Sequence, residues 1–215
     1  LRWAWRCGGR AAMGKAGNVC MLLGTALVLA ALSLFLWNQR EAAEAGRAAE
    51  AVLPRLVENM EAARTKPATP DATLPDPYDP EMTVVEIDGY GYVGVLTIPA
   101  LELELPVMSE WDAARLKIAP CRYSGSTKTR DLVIAGHNYT THHFGTLYEL
   151  EEGDKVIFTD MDGVVTHYQV VALDILQPTA VEEMTAGAYD LTLFTCTYDS
   201  GSRLTVRCEQ TEAGS

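Results

Sequence analysis

Apolar and polar positions alternate through the second half of the chain with the two-residue period of β-strands. From Met82 onward, short apolar or β-branched runs are separated by Gly, Asp and Pro. Eight runs follow one another: VVEI, YVGVLTIP, LELELPVM, DLVIAGH, DKVIFTD, THYQVVALDIL, LTLFTC and RLTVR. Helical candidates in this region are short, such as residues 110–117. The pattern predicts a mostly β domain at residues 82–212, built as a closed barrel or a sandwich.

The first part of the chain contains one uninterrupted apolar run. Residues 19–37, VCMLLGTALVLAALSLFLW, carry no charge. As a helix they would span about 28 Å, close to the hydrocarbon thickness of a bilayer. The preceding residues 1–18 hold four basic residues and no acidic residue. This asymmetry predicts a cytoplasmic tail at 1–18, a transmembrane helix at 19–37 and an extracellular remainder.

A cleaved signal peptide is the competing interpretation of the apolar run, since residues 43–45, Ala-Glu-Ala, resemble a cleavage site. Signal cores usually contain about 7–15 apolar residues. The longer run found here favours an uncleaved anchor. Met13, which lies just before the run in the sequence MGKAGN, is a candidate start of translation.

Two further segments separate the apolar run from the β pattern. In residues 38–65 the apolar positions recur every three or four residues, which predicts a juxtamembrane helix with a kink or a restart at Pro54. The pattern leaves open whether this helix docks on the domain or forms a stalk. Residues 66–81 contain five of the ten prolines and are predicted to form an extended linker.

The distribution of charge excludes one class of partner. The chain has a net charge of −12, but four of its 17 basic residues lie in the tail. The rest of the chain contains the other 13 basic residues and all 29 acidic residues, so its net charge is −16. Nucleic-acid binding needs cations against the phosphates, so no nucleic acid is expected as a partner.

The cysteines point to chemistry outside the membrane. Cys7 and Cys20 belong to the tail and the apolar run, which leaves Cys121, Cys196 and Cys208 on the oxidising side. Three cysteines cannot all pair, so at least one thiol is free, which is unusual in that compartment. Three buried, reduced cysteines acting as small apolar residues remain the alternative. Cys121 and Cys208 are expected to be structural, with a disulfide between them as the less favoured arrangement.

Three residues at predicted strand ends have the side chains that acyl transfer needs. Cys196 ends one strand, His137 ends another, and Arg203 begins the strand after the turn that follows Cys196. A thiolate can attack a carbonyl, an imidazole can take and return a proton, and a guanidinium can stabilise an oxyanion. Residue types alone are weak evidence for such a site. Arg207 has the same strand parity as Arg203, so the period does not separate the two arginines.

Neither a metal nor a cofactor is expected. His142 and His143 follow His137 by five and six residues, but structural zinc usually needs four ligands in tighter pairs. The segment TTHH is therefore predicted to be an exposed loop over the groove. His167 is predicted to be a surface residue of a strand. The sequence has no Gly-rich phosphate loop and no CxxC pair.

The order of these motifs resembles the sortase family. LTLFTC followed seven residues later by Arg203 is similar to the sortase signature TLxTC…R. VIAGHN, followed by Phe144, Leu147 and EEGD, resembles the histidine segment of the family, and YVGVLTIPALELELPV resembles its opening strands. The resemblance covers roughly residues 90–210, and a membrane anchor before the domain also fits it.

A sortase implies an eight-stranded β-barrel on the outer face of a Gram-positive cytoplasmic membrane. Such enzymes cut an LPXTG-like sorting signal between Thr and Gly through a cysteine thioester. They then transfer the protein to an amine of a cell-wall precursor or a pilin. The resemblance implies that Cys196 is the nucleophile, His137 the acid and base, and Arg203, favoured over Arg207 by family spacing, the carbonyl or oxyanion stabiliser.

The resemblance also suggests substrate-binding residues and leaves alternatives open. Thr195 would line the groove, while Asn138 would either orient a group in the site or cap a turn. Residues 173–189 would select the sorting motif. In the linker, residues 76–78, Asp-Pro-Tyr, resemble the lid of pilin-polymerising sortases, although a Pro-rich segment produces such tripeptides by chance.

Two other functions are compatible with parts of the sequence. The first is a membrane-anchored extracellular β-domain that binds peptide without catalysis, with an inert Cys196. The second is a different cysteine peptidase. It fits less well, because papain-like enzymes place the cysteine before the histidine, whereas His137 precedes Cys196 here.

Overall fold

The computed structural model describes residues 15–65, 81–139, 142–186 and 188–212. The chain divides into two compact units, Leu1–Glu41 and Ala42–Ser215. In the first unit, helix α1 (Lys15–Thr65) carries the apolar run. It is long and apolar enough to cross a membrane, and an 18-residue segment of it has a mean hydropathy of 2.5. A signal sequence near the N-terminus has the same properties, so the anchor stays a prediction.

Helix α1 does not restart at Pro54, which lies inside it. A proline removes one backbone hydrogen bond from a helix interior. Pro54 and Glu50, whose carbonyl lacks that partner, are both exposed, so water can solvate the carbonyl.

The second unit is an eight-stranded closed barrel, which confirms the fold that the family resemblance implied and excludes the sandwich that the strand pattern left open. Within the described residues the strands pair in the order β1-β2-β3-β4-β5-β8-β9-β7-β6, and β6 pairs with β2 to close the barrel. β1 is a ninth strand that adds to β2 outside the closed ring. The strands are β1 (Val85–Ile87), β2 (Tyr90–Ile98), β3 (Leu103–Met108), β4 (Cys121–Ser124), β5 (Leu132–Ala135), β6 (Lys155–Asp160), β7 (Val165–Leu176), β8 (Leu191–Cys196) and β9 (Arg203–Thr211).

Alternation along the strands builds the core. On β8, Leu191 and Leu193 lie in the main apolar cluster, together with Val206 and Cys208 of β9. The opposite face of β8 carries Phe194, which packs outside the ring under a short helix, α2 (Val181–Thr185). Side chains of neighbouring positions on a strand point to opposite faces, so β8 contributes to both layers.

The part of α1 that belongs to the second unit docks on the barrel. Leu56 is fully buried and Met60 nearly so, in a cluster with Tyr92, Val95 and Met161. Full burial of a leucine or methionine side chain is worth about 1.5–3 kcal/mol. This part of the predicted juxtamembrane helix therefore docks on the domain and does not form a stalk.

Two of the cysteines are structural. Cys121 and Cys208 are buried and unpaired, and they belong to different apolar clusters. Burial raises the pKa of each thiol to about 12. These thiols therefore stay protonated and inert at neutral pH, and the less favoured Cys121–Cys208 disulfide is absent.

Candidate active site

The parallel strands β5 and β8 bring His137 to the same edge of the barrel as Cys196. Ala135 is the register partner of Phe194, and His137 and Cys196 each lie two residues after this pair. Parallel neighbours end at one edge, which explains how residues 59 positions apart meet. β8 ends at Cys196, as predicted, whereas β5 ends at Ala135, two residues before His137.

Hydrogen bonds on both sides of His137 fix its backbone against β8. The Gly136 amide donates to the Phe194 carbonyl at 3.0 Å, and the Thr195 hydroxyl donates to the Gly136 carbonyl at 2.8 Å. The Asn138 side-chain amide donates to the Thr197 carbonyl at 3.3 Å. The segment that carries the imidazole is thus tied to the residues that flank Cys196.

Gly136 is required by this close packing. A Cβ at this position would overlap the ring of Phe144, which is fully buried in the barrel core. The absence of a side chain lets the chain pass directly over Phe144 before it reaches His137.

Cys196 and Arg203 face each other across the β8–β9 hairpin. They are register partners, and the Thr197 amide donates to the Ser202 carbonyl at 3.0 Å in the adjoining pair. Hydrogen-bonded and non-hydrogen-bonded pairs alternate in an antiparallel ladder, so the Cys196–Arg203 pair is of the non-hydrogen-bonded type. In such pairs the Cα atoms lie about 4.5 Å apart and the side chains share one face. The guanidinium also donates through Nη1 to the Ser202 carbonyl at 3.0 Å.

Side chains of the turn at residues 197–202 hold the hairpin closed. The Thr197 hydroxyl donates to Asp199 at 2.6 Å and accepts a hydrogen bond from the Ser202 amide at 3.1 Å. The Gly201 amide also donates to the Asp199 carboxylate at 3.0 Å. The Thr197 hydroxyl, followed by the Gly201 amide, lowers the pKa of Asp199. The carboxylate therefore stays ionised and keeps the turn in one conformation.

An apolar groove adjoins the sulfur of the half-buried Cys196. Tyr198 reaches across its mouth, where its hydroxyl donates to the Gly145 carbonyl at 3.4 Å. The rings of Tyr198 and Tyr148 lie edge to face with centroids 5.7 Å apart. The residues that line the groove are Asn138, Phe144, Gly145, Tyr148, Ile175, Thr195, Cys196, Thr197, Tyr198 and Leu204.

Arg207 has a different environment from Arg203. Its side chain is 5% exposed and donates to the Met184 carbonyl at 3.1 Å and the Glu183 carbonyl at 2.9 Å. The guanidinium also donates to the Thr192 hydroxyl and lies 5.1 Å from the centre of the Tyr189 ring. Arg207 thus anchors α2 and the segment before β8.

The loop after His137 is more buried than predicted. The rings of His137 and Tyr139 are stacked with centroids 4.0 Å apart, and Tyr139 contacts His143 edge to face at 5.3 Å. His143 is 1% exposed, so the prediction of an exposed loop is wrong at this residue. Its burial follows from the docking of α1, since the neighbouring residues Ala42 and Ala45 are buried with Tyr139.

Burial also keeps His143 neutral. Desolvation, followed by repulsion from His137, lowers the pKa of His143 to about 4. Within the described residues, no group of three or more His, Cys, Asp or Glu side chains is placed to hold a metal ion.

Sequence reasoning missed the aromatic residues around the site. His137 and Tyr139 are two positions apart, the spacing that places side chains on one face of an extended chain, and this signal could have indicated the stack. Nothing comparable in the sequence pointed to Tyr148 or Tyr198. The tripeptide at residues 76–78, which resembles a lid element, lies outside the described residues.

Comparison with known proteins identifies the family. The Sortase domain model matches residues 96–211, which is more than half of the chain. A comparison with curated proteins found no match. Among solved structures, sortase C1 from Streptococcus agalactiae has a TM-score of 0.53 at 22% identity, over 75% of this chain and 89% of its own.

Two further structures have the same fold. Sortase A from Corynebacterium diphtheriae has a TM-score of 0.52 at 20% identity, over 84% of this chain and 96% of its own. A pilus-related sortase C of Group B Streptococcus has a TM-score of 0.51 at 19% identity, over 79% and 94%. At these identities the structures show the fold alone, while the domain match shows the family. The chain therefore belongs to the sortase family of cysteine transpeptidases.

Proposed function

We propose that this protein is a membrane-anchored sortase that cleaves an LPXTG-like sorting signal and transfers the released acyl group to an amine. The observation that supports this most strongly is the register of β8 and β9. It sets Cys196 opposite Arg203, while β5 brings His137 to the same edge. The three residues needed for acyl transfer therefore lie at one edge of the barrel, where Cys196 lines an apolar groove.

In the first half-reaction, the Cys196 thiolate attacks the carbonyl carbon of the sorting-signal threonine. The electron pair of the C=O bond moves to oxygen, and the Arg203 guanidinium stabilises the resulting oxyanion. Collapse of this intermediate breaks the Thr–Gly bond. Protonated His137 donates its proton to the departing glycine amine, which leaves a thioester on Cys196.

In the second half-reaction, an acceptor amine attacks the thioester carbonyl. His137, now neutral, accepts a proton from the attacking nitrogen, and Arg203 again stabilises the oxyanion. The C–S bond breaks and an amide forms, so Cys196 leaves as the thiolate from which the cycle began. The proton balance over the two halves is even, because His137 gives up one proton and regains one.

The groove beside Cys196 has the character expected for the substrate. Its side chains are mostly apolar and aromatic, which suits the leucine and proline of a sorting signal. Thr195 lines it and at the same time holds Gly136 in place. Asn138 donates to the turn carbonyl of Thr197, so we assign it to positioning the turn as well as to the groove.

The acceptor would be an amine of a cell-wall precursor or a pilin lysine. A relative described as pilus-related shares the fold, but at 19% identity it does not decide between the two acceptors. We assign membrane anchoring to residues 19–37 and place the catalytic domain outside the cell. A membrane-impermeant thiol reagent should then label Cys196 in intact cells, whereas labelling only after lysis would contradict this topology.

A peptide transfer assay tests the proposed function. The 215-residue chain, purified in detergent, is incubated with a library of LPXTG-like peptides and triglycine, and the products are followed by mass. A transfer product that disappears in Cys196→Ala and in His137→Ala would support the proposal. If no peptide is cleaved, or if Cys196→Ala still forms product, the proposal is wrong and the noncatalytic peptide-binding alternative gains support.

A further inference from the structure

We propose that the buried positions Ala42, Ala45 and Gly46 of α1 hold the His137 imidazole in its reactive orientation. Tyr139 and His143 are the positioning residues that make the connection. This inference rests on the proposed role of His137 as acid and base. It gives a role in catalysis to a part of the chain that lies outside residues 96–211, the region matched by the family model.

A continuous series of ring contacts leads from the proposed active site to the helix. The planes of His137 and Tyr139 differ by 12° at a centroid distance of 4.0 Å, which fixes one face of the imidazole. Tyr139 in turn meets His143 edge to face, at 5.3 Å and 70°. Aromatic pairs in such geometries are worth about 0.5–1.5 kcal/mol beyond their buried area, so each contact constrains the next ring.

Small residues of α1 pack against Tyr139, the middle ring of this series. Ala42 and Ala45 are each 5% exposed and form an apolar cluster with Tyr139. At Gly46, an added Cβ would lie 2.7 Å from Nδ1 of the His142 ring. The helix thus approaches the loop closely at positions 42, 45 and 46, and larger side chains there would push the loop away from the helix.

The backbone of the loop depends on this packing. His143 has a φ of 50°, in the left-handed region that a residue with a side chain seldom adopts. Neither of its ring nitrogens makes a hydrogen bond of normal geometry to a described residue, although the backbones of Ala45 and Ile118 lie nearby. A strained backbone and buried ring nitrogens without good partners both cost free energy, so the conformation persists because surrounding contacts impose it.

The orientation of the imidazole matters because proton transfer depends on position. Displacement of a reacting group by about 1 Å can lower a rate about 100-fold even when the mutation is remote. A variant that loosens the Tyr139 stack should therefore lower kcat and leave KM nearly unchanged, because neither Tyr139 nor His143 lines the groove.

Matched substitutions in α1 test the proposal on the 215-residue chain in detergent. Ala45→Leu enlarges a buried side chain against the loop, while Ala43→Leu makes the same change at an exposed position two residues earlier. We expect kcat to fall at least tenfold in Ala45→Leu with KM within twofold, and Ala43→Leu to match the wild type. In ¹⁵N-histidine NMR spectra, the His137 imidazole resonances should shift in Ala45→Leu alone.

A second pair of variants keeps the test decisive if Ala45→Leu misfolds. Tyr139→Phe retains the stacked ring and should retain kcat, whereas Tyr139→Ala should lose it and shift the His137 resonances. If Tyr139→Ala keeps wild-type kcat and spectra while His137→Ala is inactive, the positioning role is wrong and the proposed function stands. If His137→Ala retains activity, the proposed function fails, and the NMR comparison alone decides whether the helix orients the ring.

Discussion

Arg203 and Arg207 lie on the same face of β9, four residues apart, and have opposite surroundings. Arg203 is half-exposed at the end of the strand beside Cys196. Arg207 is surrounded by carbonyl groups of the α2 region and by Tyr189. A guanidinium whose hydrogen bonds are used within the fold is poorly available to a substrate, whereas one at a strand end next to a thiol can reach an oxyanion.

Alanine substitution should separate the two arginines. We expect Arg203→Ala to lower kcat/KM for peptide transfer about 100-fold or more without changing the Tm, because it removes one oxyanion donor. Arg207→Ala should lower the free energy of unfolding by about 3 kcal/mol, because buried carbonyls lose their donor. Chemical denaturation and transfer assays measure both effects. An Arg207→Ala variant that is stable and inactive, beside an active Arg203→Ala, would reverse the assignment.

Two buried threonines should respond differently to the same substitution. The Thr195 hydroxyl donates to the Gly136 carbonyl, whereas the Thr205 hydroxyl has no hydrogen-bond partner among the described residues. Thr195→Val should reduce the free energy of unfolding by about 1–3 kcal/mol and also slow transfer, since the His137 segment loosens. Thr205→Val should be neutral or stabilising. Equal effects on urea unfolding at both positions would contradict the role given to Thr195.

Residue-level chemistry was partly predictable from the sequence. Local alternation placed Cys196 and Arg203 at strand ends, as β8 and β9 have them, whereas β5 ends two residues before His137. The roles proposed for the three residues came from the family resemblance. The difference in environment between Arg203 and Arg207 could not be found, because it depends on where α2 folds back, and that contact joins residues 23 and 24 positions apart. The burial of His143 was missed for the same reason, since a helix more than 90 positions earlier covers it.

At the scale of elements, the docked part of α1 extends the domain beyond the β pattern. The apolar period of residues 38–65 indicated that one face is buried, but a period does not identify the surface against which it is buried. In the structure that surface is the outer wall of the barrel around Tyr92 and Met161. A chain that begins at Met82 would leave this wall exposed to water.

A leucine in the docked face tests the contribution of this helix. Leu56→Ala should lower the free energy of unfolding by about 2–5 kcal/mol, because the side chain is fully buried. Glu58→Ala, at an exposed position of the same helix, should stay within about 0.5 kcal/mol of the wild type. Guanidinium unfolding measures both variants. Similar stabilities for the two would indicate that the helix leaves the barrel in solution.

The buried His143 should make stability depend on pH. Its folded-state pKa of about 4 lies below the ordinary value of 6.5, so the unfolded chain binds the proton more tightly. This contribution to stability is complete above about pH 6.5 and is lost as the pH falls toward 4, by about 3 kcal/mol in total. His143→Phe should therefore show a shallower loss of urea resistance between pH 7 and pH 4.5. Identical pH profiles for the variant and the wild type would contradict this cause.

At the scale of the whole molecule, the barrel order explains how distant segments form one site. β8 lies between β5 and β9, so the strand that carries the thiol has the histidine strand on one side and the arginine strand on the other. Local alternation predicted most of the strands but missed β4, and it did not predict the parallel pairing of β5 with β8, because that pairing has no signal in either strand alone. The net charge of −12 and the apolar N-terminal helix concern partners and location rather than this arrangement.

Direct detection of the acyl-enzyme tests the central claim. The 215-residue chain is mixed with an intact sorting-signal peptide that the transfer assay has identified as a substrate. No acceptor amine is added, and the intact mass of the protein is measured at short times. We predict an increase equal to the mass of the fragment that ends in threonine less one water, as a thioester requires. The adduct should be located on Cys196 by digestion, removed by hydroxylamine and absent from Cys196→Ala. A peptide that is cleaved without any adduct in the wild type, or an adduct that persists in Cys196→Ala, would contradict the account.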